Sequence, residues 1–148
     1  MPTTEELQLT LREHRHDDLT SRKNIKSPVI ICMNLSLATD MIDKNIFIAD
    51  RSYKIKEIKE VHTTAETTAA TLTLDIKKCT GTTAPASGTT ILSSTFNMKG
   101  VANTIVSKFP IDTQYTLAKD DRLALDFSAA ATELVGVVII IVLETLNV

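Results

Sequence analysis

Hydrophobic and polar residues alternate along two stretches of this 148-residue chain. In residues 69–79, the apolar side chains of Leu72, Leu74 and Ile76 stand at every second position, between threonine, aspartate and lysine. Residues 122–127 alternate just as strictly. Because successive side chains of a strand point to opposite faces, this pattern predicts strands with one buried face and one face in water.

The most apolar stretch lies near the end of the chain, at residues 135–146. It is apolar on both faces, which is typical of a strand at the centre of a sheet or between two layers. We therefore expect Ile140 and Val142 to be buried in the core. The apolar run of residues 134–143 is too short to span a bilayer as a helix, which takes about 20 residues.

The apolar pattern of residues 53–62 fits two kinds of secondary structure. Ile55, Ile58 and Val61 recur every three residues, which suits either a helix or a strand with a bulge. The strand patterns in the neighbouring sequence favour the second structure. We predict a strand over residues 53–62 with a bulge near Glu57.

Four further segments have the composition of short strands: residues 29–37, 45–49, 91–96 and 101–109. Turn and loop signals separate them, most clearly the glycines and proline of residues 80–90. No long amphipathic helix interrupts the series, which excludes an alternating α/β architecture. Eight or nine short strands at this spacing predict an all-β fold: a two-sheet β-sandwich with jelly-roll-like topology.

The first 27 residues differ from the rest because they are rich in charges of both signs. We divide the chain into an N-terminal arm, residues 1–27, and a β-sandwich domain, residues 28–148. In the arm, Leu7, Leu9 and Leu11 alternate as in a strand, whereas Thr3 and Glu6 have the spacing of a helix capping box. We favour an extended arm that becomes ordered against a partner.

Composition narrows the classes of function. The formal net charge of -2 and the pI of about 5.9 provide no basic surface for nucleic-acid phosphates or anionic membranes. Aromatic residues make up 4% of the chain and tryptophan is absent, which disfavours sites that stack sugars or bases. The acidic, polar start does not resemble a signal peptide. For Cys32 and Cys79 we favour buried free thiols over a disulfide.

Candidate catalytic and metal-binding residues are few. The four glycines are scattered singly and form no phosphate-binding loop. His14 and His16 are suitable ligands for a divalent ion, but the pattern places no third ligand beside them. Four other residues have plainer explanations. His62 is a structural or exposed histidine, Asp120 and Asp121 form a turn, and Asp126 lies on the water-facing side of its strand. We predict no enzymatic activity, no cofactor, no bound metal and no small-molecule substrate.

Several segments resemble a module common in the structural genes of tailed bacteriophages. Two of them are FIADRSYKIKEIKEVHTTA at residues 47–65 and KKCTGTTAPASGT at 77–89, which is followed by ANTIV at 102–106. The others are LAKDDRLALDF at 117–127 and LVGVVIIIVL at 134–143. The resemblance covers residues 45–144, and the loop at 77–89 and the turn at 120–127 are its most specific parts. Lys119-Asp120 stands where relatives favour Ala-Gly, which alters the turn type.

Proteins of this family are capsid decoration, cement or head-fibre proteins with jelly-roll-like sandwiches, and many are trimers. The resemblance implies a virion protein on the outer surface of the capsid, present in the host cytoplasm during assembly. It would decorate and stabilise the capsid as a homotrimer that binds the major capsid protein. We expect the capsid-binding residues in the arm: Leu7, Leu9, Leu11, Arg12 and Arg15. The alternative is a receptor- or glycan-binding module of a phage fibre or tail.

Overall fold

The computed structural model of the protein describes residues 28–111 and 115–146. Ten strands follow one another: β1 (Pro28–Leu35), β2 (Lys44–Ile48), β3 (Tyr53–Val61), β4 (Thr73–Cys79), β5 (Thr89–Thr90), β6 (Phe96–Asn97), β7 (Val106–Lys108), β8 (Thr116–Leu117), β9 (Arg122–Phe127) and β10 (Val137–Thr145). The helical content of these residues is two single turns of 3-10 helix, Ala38–Asp40 and Pro85–Ser87. In the same two ranges, no helix is long and apolar enough to cross a bilayer.

Each sheet is built from strands that are distant in the sequence. The first has the order β1-β10-β3, and both β7 and β8 pair with the other edge of β3. The second has the order β2-β9-β4, and both β5 and β6 pair with the other edge of β4. All these pairs are antiparallel. If each two-part edge counts as one interrupted strand, each sheet has four strands in the order of a jelly roll, so the predicted sandwich is confirmed.

The final strand, β10, lies between β1 and β3, as predicted for a central strand. Its residues Ile139, Ile141 and Leu143 are buried in the core that the two sheets enclose. Ile140 and Val142 point to the opposite face and are half-buried, so the expectation that they lie in the core is wrong. The strand is apolar on both faces, but only one of them meets the second sheet.

A bulge makes the three-residue spacing of the apolar side chains in β3 compatible with a strand. The pairing with β10 passes over Lys56, because Glu57 and Ile55 are opposite consecutive residues of that strand. The extra residue changes the alternation, so both Ile55 and Ile58 are buried. The predicted bulge near Glu57 is confirmed.

The region between β4 and β9 contains less regular strand than predicted. Instead of strands over residues 91–96 and 101–109, it forms pieces of two or three residues, β5 to β8. Ile91 and Leu92 are buried nonetheless, and the N–H of Ile91 donates to the Ile76 carbonyl at 3.1 Å. β5 and β6 both pair with β4, and β7 and β8 both pair with β3, so the short pieces are two interrupted edge strands.

A buried carboxylate joins two connections of the sandwich. Glu66, between β3 and β4, is 1% exposed. Its oxygens accept hydrogen bonds from five backbone N–H groups, those of Thr68, Ala69, Thr132, Glu133 and Leu134. Donation by the N–H groups of Glu133 and Thr132 is the main reason why the pKa of Glu66 lies far below its usual value. The ionised carboxylate thereby holds the β3–β4 connection against the β9–β10 connection.

We predict that Ile141→Ala lowers the free energy of unfolding by about 2–5 kcal/mol, because it opens a cavity in the core. The matched control is Ile140→Ala, which removes the same atoms from the half-buried outer face and should cost less than half as much. Urea denaturation followed by circular dichroism measures both losses. Equal losses would show that β10 is covered to the same extent on its two faces.

Candidate interaction surface

The end of β3 places a buried acid–base pair beside the loop that follows β6. Glu60 and His62 are each 1% exposed, and the Nδ1 of His62 lies 2.8 Å from the Oε1 of Glu60. The Nε2 of His62 lies 3.2 Å from the carbonyl oxygen of Gly100. Since a carbonyl only accepts, Nε2 carries a proton, and one further proton lies between Nδ1 and the carboxyl group.

This pair has a structural role. Burial raises the pKa of Glu60, and the hydrogen bond with His62 opposes the rise. Both ring nitrogens of His62 are occupied, and its carbonyl accepts a hydrogen bond of 2.7 Å from the N–H of Asn103. The pair therefore fastens the loop around Gly100 to the end of β3. No nitrogen of His62 remains to activate a nucleophile, in agreement with the structural role predicted for this residue.

We predict that His62→Leu lowers the free energy of unfolding by about 3–5 kcal/mol, because it leaves the Glu60 carboxyl buried without its partner. The double variant Glu60→Leu with His62→Leu should recover most of this loss, since the buried charge is gone as well. Chemical denaturation of the two single variants and the double variant forms a double-mutant cycle. Strictly additive losses would contradict the pairing.

The three candidate carboxylates around β9 do not converge on a common site. Asp121 accepts a backbone hydrogen bond of 2.8 Å within its turn and lies 3.0 Å from the Nζ of Lys78. Asp126 lies 3.3 Å from the Nζ of Lys77 instead. Asp120 has a φ of 70°, a left-handed conformation that favours glycine. Asp120 and Asp121 therefore belong to a turn, as predicted, and Asp121 and Asp126 form two separate ion pairs that the sequence did not predict.

The two cysteines have different environments, and both are free thiols. Cys79 is buried as expected, but Cys32 is exposed, so the expectation is wrong for this residue. The reason is that Cys32 belongs to β1, an edge strand, and lies on its outer face. The remaining sequence candidates lie outside the described residues: His14 and His16 as metal ligands, and Leu7, Leu9, Leu11, Arg12 and Arg15 for capsid binding. Within the described ranges, no three histidine, cysteine, aspartate or glutamate side chains are placed to hold a metal ion.

An exposed apolar strip is formed by residues 101–111, along β7 and its flanks. Its large exposed side chains are between 37% and 78% accessible: Val101, Ile105, Val106, Phe109 and Ile111. These five are half of the ten large hydrophobic side chains that are exposed in the part of the chain that the structure describes. Together they expose on the order of 500 Å², a patch size that on monomers is often an interaction site.

Backbone contacts hold this apolar strip against both sheets. β7 pairs with residues 58–60 of β3, and the N–H of Asn103 donates to the carbonyl of His62. At the other end of the strip, Pro110 forms a β-bridge with Leu92, which follows β5. The backbone of the strip is therefore fixed at both ends.

The apolar strip contains one charged residue, Lys108. The Nζ of Lys108 lies 2.7 Å from the Oγ of Ser94 and 5.7 Å from the centre of the Phe96 ring. The charge is therefore directed towards residues near the second sheet. The strand pairing places Ser107 of the strip opposite Lys59 of β3, and the Nζ of Lys59 lies 3.2 Å from the Oε2 of Glu57. The charge nearest to the exposed apolar side chains is therefore paired with an opposite one.

The alternation of polar and apolar residues did not reveal this surface. The pattern predicted a strand over residues 101–109 and gave no indication that its apolar side chains are exposed. One signal was available: charged residues make up 23% of the chain but occur once in residues 101–111. A segment that lacks both strict alternation and charge is a candidate for contact with another protein.

The strand order defines the protein as a jelly-roll β-sandwich, a class that includes viral capsid domains and lectins. No family model matches the chain, and no curated protein matches it. The fold is similar to a chain of the solved structure "Capsid of Ralstonia phage GP4", with a TM-score of 0.60 and 15% identity over 84% of this chain and 86% of that chain. It is also similar to a chain of "Acidic stable capsid structure of Helicobacter pylori bacteriophage KHP30", with a TM-score of 0.52 and 10% identity over 82% and 90%. At these identities the likeness concerns the fold, and both structures are phage capsids, in line with the sequence resemblance.

Proposed function

We propose that this chain is a bacteriophage virion protein that decorates and stabilises the outer surface of the capsid by binding the major capsid protein. The observation that carries the proposal is the extent of the structural likeness. More than four fifths of the sandwich chain matches chains from two phage capsid structures, and each match also covers most of the other chain. The sequence resemblance to phage decoration proteins supports the same conclusion from independent features, since it depends on short motifs and not on shape.

In this proposal, function is binding through buried area and shape. The rigid sandwich presents surfaces, and the arm of residues 1–27 attaches the protein to the capsid. An extended segment with alternating Leu7, Leu9 and Leu11 can add a strand to an exposed sheet edge and place its leucines in pockets. Arg12 and Arg15 would add ionic contacts to acidic groups of the major capsid protein.

Self-association, as a homotrimer, is the second part of the proposal. A trimer seated over a local threefold axis of the capsid binds through several contacts at once, so weak single contacts add up to firm attachment. Each arm then reaches a different capsid subunit and ties neighbouring subunits together. Stabilisation of the head follows from these links between subunits.

The receptor- or glycan-binding alternative has less support. Glycan sites depend on aromatic platforms, and the chain has four phenylalanines, two tyrosines and no tryptophan. Of these, Tyr53 and Phe96 are buried in the core and Phe47 packs edge-on against the Tyr53 ring at 5.6 Å. With the buried Phe127, four of the six aromatic side chains that the structure describes therefore serve packing, and Phe109 is the one large exposed ring among them.

We predict that replacing Leu7, Leu9 and Leu11 together by serine weakens binding to phage heads that lack this protein by at least about tenfold, because the pocket contacts of the arm are lost. The matched control replaces the interleaved Gln8 and Thr10 by serine, which leaves the leucines in place. Co-sedimentation of the purified variants with such heads measures binding. Deletion of residues 1–27 should weaken it further and leave the sandwich soluble and oligomeric.

The proposal for the arm fails if the leucine variant and the deletion decorate heads as well as the intact chain. The docking surface would then lie on the sandwich. If the intact chain binds no heads but binds host cells or their glycans, the alternative function is correct.

A further inference from the structure

We propose that the apolar strip of residues 101–111 is the surface through which copies of this chain associate, with the strip of one copy packed against the strip of the next around a shared axis. The inference names the contact for the self-association proposed above, and it rests on that part of the proposed function alone. Capsid binding does not enter the argument.

Charge is the first reason to choose a second copy as the partner. Where copies meet at a shared symmetry axis, identical residues lie close to one another across it, so a charge at the axis would repel its own copies. The apolar strip avoids this because its one charge, Lys108, is directed to Ser94 and Phe96. The neighbouring charge on the first sheet, Lys59 opposite Ser107, is paired with Glu57 at 3.2 Å, and the outer face of the second sheet carries the Lys77–Asp126 pair far from the strip in the fold.

Area and composition are the second reason. A stable interface takes about 800 Å² from each partner, and the apolar side chains of the strip supply on the order of 500 Å² of it. The exposed polar residues between them, Asn103, Thr104 and Ser107, can supply part of the rest as a polar rim. Phe109, which is 62% exposed, is the aromatic anchor that such interfaces favour.

The rigidity of the strip is the third reason. Its backbone is held by the Asn103–His62 hydrogen bond at one end and by the bridge between Pro110 and Leu92 at the other. Ordering a flexible segment at an interface costs free energy, and a segment that is fixed before it binds avoids most of this cost. The buried Glu60–His62 pair thereby supports the interface through the loop at Gly100.

The test places charge on the strip of the full-length chain. Ile105→Glu and Phe109→Glu should each weaken self-association by at least about tenfold, as measured by sedimentation velocity over a range of concentrations. The matched control is Ile48→Glu on the outer edge strand β2, because Ile48 is 64% exposed and Ile105 is 68% exposed. Circular dichroism and urea denaturation confirm that all three variants are folded.

A second measurement tests whether the strip meets itself. Ile105→Glu and Ile105→Lys should each associate poorly alone, but a mixture of the two should form mixed oligomers, because opposite charges then face each other. If the strip packed against a different surface of the neighbour, mixing would restore nothing. Failure of this rescue therefore overturns the inference.

The inference is also overturned if the unaltered chain is a monomer at every concentration, or if both glutamate variants associate as tightly as it does. Capsid binding of the same variants is measured separately. A glutamate variant that remains oligomeric but no longer binds heads would show that the strip faces the capsid protein, which overturns the inference and leaves the decoration function standing. Loss of self-association supports the inference whether or not head binding survives.

Discussion

The pairing of β10 with β1 on one side and with β3 on the other holds the sandwich together. Eight residues of β10 are opposite β1 and eight are opposite β3. The last strand therefore lies between the first and the third strand and joins them into one sheet. The buried face of β10 also supplies Ile139, Ile141 and Leu143 to the core. Because these contacts join distant parts of the sequence, the first sheet can form only when nearly the whole domain is present.

Buried polar groups fix the connections between the strands. Glu66 joins the β3–β4 and β9–β10 connections through backbone N–H groups. The Glu60–His62 pair holds the loop that leads into the apolar strip. Each of these groups is satisfied by partners within the fold, so they stabilise the connections between the strands.

The sequence predicted the strands that have a strictly alternating or strongly apolar pattern, because that pattern reports directly on the two faces of a strand. It even located the bulge of β3 from the spacing of Ile55 and Ile58. It could not tell which face of an apolar strand meets the other sheet, and for this reason Ile140 and Cys32 were misplaced. The pieces β5 to β8 were missed or misjudged in length, since strands of two or three residues are too short to show a period. The exposure of the apolar strip was not predicted, because exposure depends on tertiary contacts that a local sequence pattern does not contain.

In the proposed function, the protein acts through contacts with other chains, and its sandwich is the rigid body that carries them. This proposal is tested most directly by a cryo-electron microscopy reconstruction of the purified virion in which this chain is located. The account predicts sandwiches on the outer surface of the head, in contact with the major capsid protein. Sandwiches found only at the tail or at the tips of fibres, with none on the head, would contradict it.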